Sequence, residues 1–453
     1  MSRYSPQLRT AVLLSGSGTA GAYHAGVLRA LHEAGIKLDV VSGRGVGAVG
    51  ALFAAIDAAP KMWEDGGLWR RPKAVALYRW RRPLRLAAGL FLVAAGVLLV
   101  PLVVLASGLL VYPLSFLLQM ISVDAGQRVA TAYAGWIARS FAPEALPTYV
   151  PRLVTLAIAS AVLAVAAAAI AAGRGTSTAG HRARGAWWSR LAGSPWSPDP
   201  AISHFQDSLW TLFRGPANAK APAPAELSRR YMELLTDNLG QPGFRELMMT
   251  ALDLESRQDV IFAALREERR SAFFARRQGE LVDLAGVGRN QAIAAMSAAL
   301  SLPVLTRPHL IAFSPESYWK GETHRFCDRP AVIDRLMHEL AGIGVEQLII
   351  VSASAAAGAP HRLLTPSESL KSRVSDHLCA AEAAAVRDAV ASQATRFEGV
   401  FAIQPLHNPV GPFDFSGGFD ERSDRFQTIG ELMDRGYEDA YRQFIEPVVG
   451  AAE

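Results

Sequence analysis

A short glycine-rich segment has the spacing of a nucleophile elbow but lacks the nucleophile. Residues 40–48 are Val-Val-Ser-Gly-Arg-Gly-Val-Gly-Ala, and their outer glycines, Gly43 and Gly47, match the strand-turn-helix pattern Gly-x-Ser-x-Gly. In that pattern a sharp turn lifts a serine hydroxyl to the end of a sheet, where it attacks an ester. The central position here is Gly45, which suits a strained turn but carries no oxygen. The sequence therefore predicts the scaffold of a hydrolytic site without its central atom.

A second glycine-rich turn precedes the elbow and has two interpretations. Gly16, Gly18 and Gly21 have the spacing Gly-x-Gly-x-x-Gly between a strand and a helix, and Asp39 follows about 20 residues later, as in dinucleotide-binding folds. An elbow so soon afterwards favours an oxyanion loop instead, in which backbone N–H groups of Gly16, Ser17, Gly18 and Gly21 face a developing negative charge. Nucleotide binding at this turn stays the alternative.

These turns need strands and helices to position them, and the chain predicts an α/β fold. Apolar strands are predicted at 10–14, 38–42, 347–353 and 400–404, and helices at 22–34, 46–58, 331–341 and 428–444. Strands that alternate with helices indicate a mostly parallel sheet covered on both faces.

Two long apolar runs interrupt this pattern. No charged residue occurs in 86–123 or in 153–173, and each run exceeds the roughly 18–20 residues that a membrane-spanning helix needs. We therefore predict a transmembrane hairpin, with segments at about 86–120 and 153–173, inside an insertion covering 69–190. The remaining residues, 1–68 and 191–453, form the α/β domain. Pro101 and Pro113 are expected to break the first run into a spanning piece and an interfacial or re-entrant piece.

Charge and cysteine content suggest the cellular compartment and the orientation in the membrane. The net charge of +5 is concentrated on the outer flanks of the two runs, with seven basic residues in 70–85 and four in 174–190. This positive-inside pattern places both flanks in the cytoplasm and explains the charge by anionic lipid headgroups rather than nucleic acid. The two cysteines, Cys327 and Cys379, fit a reducing compartment. The expected location is the inner (cytoplasmic) membrane of a bacterium.

The N-terminal segment resembles the patatin-like phospholipases. The resemblance rests on residues 13–28, Leu-Leu-Ser-Gly-Ser-Gly-Thr-Ala-Gly-Ala-Tyr-His-Ala-Gly-Val-Leu, together with the elbow. It implies a three-layer α/β/α sandwich, cleavage of acyl chains from lipids, and a Ser-Asp dyad served by a glycine-rich oxyanion loop. Ala20 stands where the family usually has the arginine of that loop.

The dyad aspartate is expected later in the chain. Residues 318–322, Tyr-Trp-Lys-Gly-Glu, are similar to the family's aromatic residue followed by Asp-Gly-Gly, which places Lys320 at the aspartate position. Asp328 or Asp334 is the true acid if the alignment is shifted. With Gly45 and Lys320 at the two catalytic positions, Ser15, Ser17 and Ser42 are the serines near enough to replace the nucleophile, and local hydrogen bonding explains all three more simply.

The sequence thus predicts a membrane-anchored protein that is catalytically inactive or impaired, and that binds membrane lipid, anionic lipid included, or serves as a partner subunit or homo-oligomer. The alternative is an active lipid acylhydrolase with a non-standard catalytic arrangement. No cofactor is expected. No metal site is expected either, because His309, His324, Cys327 and Asp328 lack a metal-ligand spacing and the acidic residues of 411–425 do not follow the EF-hand order.

Overall fold

A computed structural model describes most of the chain. The described residues are 3–75, 77–121, 124–142, 146–174, 193–214, 219–358, 370–406, 418–420 and 425–450. The chain forms two compact units, one comprising Met1–Arg79 with Trp196–Glu453 and the other comprising Trp80–Pro195. The second unit is thus inserted between two parts of the first.

The first unit is built on a nine-stranded sheet with a parallel centre. The strands of the chain are β1 (Thr10–Gly16), β2 (Val40–Gly45), β3 (Arg79–Trp80), β4 (Trp196–Ser197), β5 (Glu246–Asp253), β6 (Gln258–Ala264), β7 (Leu281–Asp283), β8 (His309–Ala312), β9 (Thr323–Cys327), β10 (Gln347–Ser352), β11 (Gly399–Ile403), β12 (Gly418–Asp420) and β13 (Arg425–Gln427). The main sheet has the order β11-β10-β1-β2-β5-β6-β7, and β9 pairs with both β5 and β8. The first five strands in that order are parallel, whereas β6 and β9 run antiparallel to β5.

Helices of the first unit cover both faces of its sheet, and the described part of the second unit contains four more helices. In chain order the helices of both units are α1 (Ala20–Glu33), α2 (Gly47–Ala55), α3 (Arg82–Ala106), α4 (Gly108–Met120), α5 (Ala125–Ser140), α6 (Leu146–Arg174), α7 (Asp199–Arg214), α8 (Pro224–Asn238), α9 (Glu267–Phe274), α10 (Ala292–Ala299), α11 (Ile333–Gly342), α12 (Leu370–Gln393) and α13 (Ile429–Ala440), and a π-helix at Tyr441–Val449 follows α13.

Alternation of side chains along the buried strands creates two cores. In β1, Val12 and Leu14 pack with α1, α2 and α13, whereas Ala11 and Leu13 face the opposite core with α11 and α12. Successive residues of a strand point to opposite faces, so a strand that is apolar throughout requires helices on both sides. The predicted α/β class and parallel-dominated sheet are confirmed, and the layering is consistent with an α/β/α sandwich.

Apart from Trp80, which ends β3, the regular elements described in the inserted unit are helices. Helix α3 packs against α6, and α4 packs against α5. The hydroxyl of Tyr133 in α5 donates to the carbonyl oxygen of Val104 at 2.8 Å. Among the described residues, Leu102–Met120 is the one helical stretch long and apolar enough to cross a membrane, and Arg152–Ala167 is a shorter apolar helix.

The predicted break in the first apolar run lies elsewhere. Helix α3 continues through Pro101 and ends at Ala106, and α4 begins at Gly108. Proline clashes with the carbonyl group four residues earlier, which for Pro113 belongs to Leu109 in the first turn of α4. The disruption therefore falls about one turn before Pro113.

Candidate active site

The two glycine-rich turns meet at one edge of the sheet. Strands β1 and β2 are parallel neighbours, and their register pairs Gly16 with Gly45 and Ser15 with Arg44. Strand β10 pairs in parallel on the other side of β1, where Ser352 lies beside Ser15. Because the carboxyl ends of parallel strands share an edge, the elbow and the predicted oxyanion loop are adjacent, as the sequence suggests.

Gly45 has the backbone of an elbow nucleophile but no room for a side chain. Its φ of +55° lies in the left-handed region that favours glycine. A Cβ atom added to Gly45 would overlap the carbonyl oxygen of Gly16 and would lie 3.2 Å from Oδ2 of Asp328. The position that a catalytic serine would occupy is therefore closed by the neighbouring turn.

The Gly16 carbonyl group also accepts a hydrogen bond from the backbone N–H that an oxyanion site requires. The backbone N–H of Val46 donates to the carbonyl oxygen of Gly16 at 2.9 Å. In a working elbow, the N–H of the residue after the nucleophile stabilises the negative charge of the tetrahedral intermediate. Here that donor is committed to the main chain, so the turns form a closed structural contact.

A buried ion cluster lies directly behind the elbow. Arg44 is fully buried, and its Nη1 donates to Oδ2 of Asp328 at 2.6 Å while its Nε donates to the Ser15 hydroxyl oxygen at 2.9 Å. Its Nη2 donates to a carboxylate oxygen of Glu382 on α12. The other oxygen of Glu382 accepts from the Ser352 hydroxyl at 3.2 Å.

Burial and neighbouring charges shift the pKa values of this cluster in opposite directions. Burial would lower the pKa of Arg44, but the carboxylates of Asp328 and Glu382 outweigh it, and the net shift raises the pKa. For Asp328, burial raises the pKa of the carboxyl group, and Arg44 opposes that shift. Removing one member of such a cluster leaves an uncompensated buried charge, which typically costs about 3–5 kcal/mol.

Asp328, rather than Lys320, is the residue beside Gly45. Residues 313–322 form the turn between the antiparallel strands β8 and β9, and Lys320 lies on this turn with an exposed side chain. Asp328 follows β9, at the end that pairs with the carboxyl end of β5. Five strand residues separate the turn from Asp328, a distance of roughly 16 Å. The structure thus places Asp328, one of the two alternatives from the sequence, beside Gly45, and not Lys320, to which the motif alignment pointed.

The physical reason for that misalignment is the composition of the hairpin turn. A turn favours glycine and residues that tolerate positive φ, and Lys320 and Gly321 have φ of +46° and +85°. Their combination with Trp319 resembles an aromatic residue followed by Asp-Gly-Gly without sharing its position in the fold. The other proposed acid, Asp334, is exposed on α11 and accepts from Ser392 and Gln393.

The three nearby serines are held by local hydrogen bonds. The Ser42 hydroxyl donates to the carbonyl oxygen of Val12 at 3.0 Å, and Ser15 accepts from Arg44. Ser17 differs, because its hydroxyl donates to Oδ2 of Asp328 at 3.3 Å. Ser17 and Asp328 are therefore the nearest approach to a Ser-Asp pair in this region.

The oxyanion-loop glycines are explained largely by packing. A Cβ atom on Gly21 would overlap the ring of Trp69, and Gly18 has a φ of +59°. Ser17, Ala20 and Glu382 are among the residues around a cavity of about 20 Å³ beside this loop. A space of that size holds about one water molecule.

The structure does not favour a dinucleotide at this turn. Asp39 precedes β2, whereas Gly16 ends β1. Since the two strands are parallel, Asp39 and the glycine-rich turn lie at opposite edges of the sheet. The Asp39 carboxylate accepts from the backbone N–H of Thr10 at 3.0 Å and pairs with Lys37 at 3.3 Å.

Two other titratable residues of this unit, His24 and Cys327, are buried. His24 is fully buried, its Nε2 bonds to the carbonyl oxygen of Ser15 at 2.9 Å, and burial lowers its pKa to about 4. Burial raises the pKa of the Cys327 thiol to about 11. Across the described part of the chain, no group of three His, Cys, Asp or Glu side chains is arranged to hold a metal ion. Most of the acidic segment 411–425 lies outside the described residues.

Comparison with known proteins agrees with this elbow and loop. Residues 12–99 match the family model of the patatin-like phospholipases. Over this segment, the chain is similar to the patatin-like phospholipases. Patatin-like phospholipase domain-containing protein ZK370.4 of Caenorhabditis elegans is 39% identical over 69 residues, which cover 13% of this chain and 5% of that protein. Human patatin-like phospholipase domain-containing protein 6 is 39% identical over 62 residues, covering 14% and 4%.

The family likeness is therefore local. The alignments cover about a twentieth of the length of these curated relatives. A crystal structure of VipD from Legionella pneumophila is similar over 98% of this chain and 67% of that one, with 12% identity and a TM-score of 0.33.

Sequence reasoning missed Arg44 and Glu382 as members of the site. A signal for Arg44 was present, because a charged residue inside an apolar strand-turn-helix segment requires buried partners. Nothing in the sequence pattern identified Glu382, which lies on α12 more than 300 residues from the elbow.

Proposed function

We propose that this protein is a membrane-anchored patatin-like protein that does not hydrolyse lipids and acts by binding, either to membrane lipid or as a partner subunit. The observation that carries this proposal is the hydrogen bond from the Val46 N–H to the Gly16 carbonyl oxygen, across the place where Gly45 replaces a nucleophile.

Each group that the dyad reaction requires is either missing or already bonded. Gly45 supplies no nucleophile, and the Val46 donor is already used. Asp328 is near enough to serve as a base, but its Oδ2 is ion-paired with Arg44. Removal of a catalytic serine alone lowers the rate by about 10⁶ in a well-studied serine protease. Three simultaneous changes favour loss of hydrolysis.

Membrane anchoring is supported by the surface of the inserted unit. Leu102–Met120 has a mean hydropathy of 2.0, and large apolar side chains such as Leu109, Leu110 and Phe116 are exposed on it. Exposed apolar surface of this extent is unfavourable in water and favourable in hydrocarbon. Helix α3 packs against α6, as the two segments of a hairpin would.

The basic flanks support an orientation and a lipid preference. Basic residues concentrate in 70–85 and 174–190, outside the apolar runs. They favour the cytoplasmic side of the inner membrane for the α/β unit and attract anionic headgroups.

Two measurements on the full-length protein test the proposal. Carbonate washing of isolated membranes should leave the protein in the pellet, whereas detergent should release it. Purified protein should then release no fatty acid from phospholipid, lysophospholipid or monoacylglycerol above a detergent blank. Recovery in the carbonate supernatant would contradict anchoring, and turnover that co-purifies with the protein would contradict inactivity.

The second candidate function is hydrolysis by a relocated dyad. It is favoured by one contact, the 3.3 Å hydrogen bond from Ser17 to Asp328. If turnover is found, Ser17→Ala should abolish it, while Ser42→Ala, which removes a hydroxyl bonded to Val12, should leave it intact.

A further inference from the structure

A second cavity lies away from the elbow. It has a volume of about 810 Å³ and lies between α9, β7 and the turn that joins β8 to β9. Sites for small organic ligands commonly span about 300–1,000 Å³. The lining combines apolar side chains, Phe274, Leu281 and Val287, with polar groups. This mixture fits an amphipathic ligand.

One buried polar atom of the lining lacks a partner. Gln291 is only 4% exposed, and its Nε2 donates to the carbonyl oxygen of Ala312 at 2.9 Å, which fixes the orientation of the amide. Its Oε1 is buried without a hydrogen-bond partner. An unsatisfied buried acceptor costs about 1–3 kcal/mol. A ligand that donates an N–H or O–H would remove that cost.

Charged groups of both signs line the cavity. Three carboxylates line it, Asp283, Glu316 and Glu322, against the ammonium group of Lys320. Arg270 neutralises Asp283 through contacts of 2.8 Å.

Glu316 is the carboxylate of the lining that can attract a positive ligand directly. Burial lowers the pKa of His324, but its hydrogen bonds to Asp253 and Glu322 outweigh burial and raise the pKa, so the imidazolium form offsets part of the charge of Glu322. Glu316 forms no ion pair within the part of the chain described.

Aromatic rings contribute a second attraction for a cation. The rings of Tyr318 and Trp319 both line the cavity, with centroids 5.1 Å apart and planes at 89°. The indole N–H of Trp319 donates to the carbonyl oxygen of Gly279, which holds this ring in place. Aromatic faces attract ammonium groups by about 0.5–2 kcal/mol.

We propose that this cavity binds an amphipathic primary amine in its ammonium form. An N–H of the ligand bonds to Oε1 of Gln291, its charge lies among Glu316, Glu322 and the aromatic rings, and its apolar body packs on Phe274. The site goes beyond the proposed function, since its ligand need not be a lipid and its residues take no part in the elbow.

The test is calorimetric titration of the full-length protein in neutral detergent at pH 7.4. The probes are 2-phenylethylammonium, its N,N,N-trimethyl analogue, neutral 2-phenylethanol and anionic 3-phenylpropionate. We expect the primary ammonium to bind about tenfold more tightly than the other three, because it alone offers both a charge and N–H donors. Equal or tighter binding of any other probe, or no binding of the primary ammonium, would overturn the proposal.

Two variants connect binding to the cavity. Glu316→Gln changes an exposed side chain, so the fold is preserved. This variant should bind the primary ammonium probe several-fold more weakly. Gln291→Leu should remove the preference for the primary over the trimethyl probe. Unchanged binding in Glu316→Gln, or an unchanged preference in a folded Gln291→Leu protein, would place the ligand elsewhere.

Vesicles distinguish a free amine from a lipid headgroup. Phosphatidylethanolamine vesicles that displace the soluble probe, where phosphatidylcholine vesicles do not, would identify an aminolipid headgroup as the source. Displacement by neither would identify a free amine. Equal displacement by both would contradict the requirement for an N–H donor.

Discussion

Nη1 of Arg44 lies 2.6 Å from Oδ2 of Asp328, and both side chains are buried. The same carboxylate oxygen lies 3.2 Å from the position of a Cβ atom on Gly45. The carboxylate beside the elbow glycine is thus paired with a cation on the elbow itself. Arg44 and Asp328 belong to a buried ion cluster behind the elbow.

The contact between Gly45 and Gly16 predicts that a side chain added at Gly45 destabilises the protein. Gly45→Ala should lower the free energy of unfolding by roughly 2–4 kcal/mol, from positive φ and from overlap with the Gly16 carbonyl. Gly35→Ala is the matched control, because Gly35 has a φ of +67° but open space around it, and should cost only about 1 kcal/mol. Urea unfolding in detergent measures both. Equal costs would show that the turn is not closed, and Gly45→Ser should remain inactive.

The buried cluster predicts strong coupling between Arg44 and Asp328. Arg44→Met and Asp328→Asn should each destabilise the protein by about 3–5 kcal/mol, because each leaves an unbalanced buried group. The double variant should be less destabilised than the sum of the two. Arg229→Met, which breaks an exposed pair with Glu226, should leave the unfolding midpoint nearly unchanged. Simple additivity of Arg44→Met and Asp328→Asn would argue against the contact.

His24 predicts a loss of stability in mild acid. Burial lowers its folded-state pKa to about 4, against about 6.5 when unfolded, so the unfolded chain gains a proton first. Stability should therefore decrease as the pH falls from about 6.5 to 4, by up to about 3 kcal/mol from this group. His24→Gln should reduce that decrease relative to the parent when unfolding is followed across the range. Parallel pH profiles for the two proteins would contradict a buried neutral imidazole.

The proposed membrane hairpin predicts opposite accessibility for two positions. Cysteine at Gln127, which is exposed near the start of α5, should react with an impermeant maleimide added to spheroplasts. Cysteine at Lys220, which is exposed in the α/β unit, should react only after lysis. Both changes belong in a Cys379→Ser background, because native Cys379 is only partly buried. The reverse pattern would invert the proposed orientation.

Much of the fold followed from local sequence signals. The strand predicted at 10–14 and the helix predicted at 22–34 correspond to β1 and α1. The spacing of apolar residues within each segment is enough to indicate a strand or a helix. The antiparallel strands β6, β8 and β9 were not predicted. Strands β6 and β8 pair with strands close by in the sequence, whereas the pairing of β9 with β5 depends on contacts distant in sequence. The position of Asp328 depends on that pairing, which is why a motif-based alignment selected Lys320 instead.

The most direct test of the closed elbow is reaction of the purified full-length protein with a fluorophosphonate, followed by intact mass and peptide mapping. Such probes modify serine hydroxyls activated by a base and stabilised by oxyanion donors. With Gly45 lacking a hydroxyl and the Val46 N–H bonded to Gly16, the protein should remain unmodified at concentrations that fully label an active serine hydrolase. A stoichiometric adduct on Ser17, lost in Ser17→Ala, would contradict this account and establish the Ser17–Asp328 pair as a working dyad.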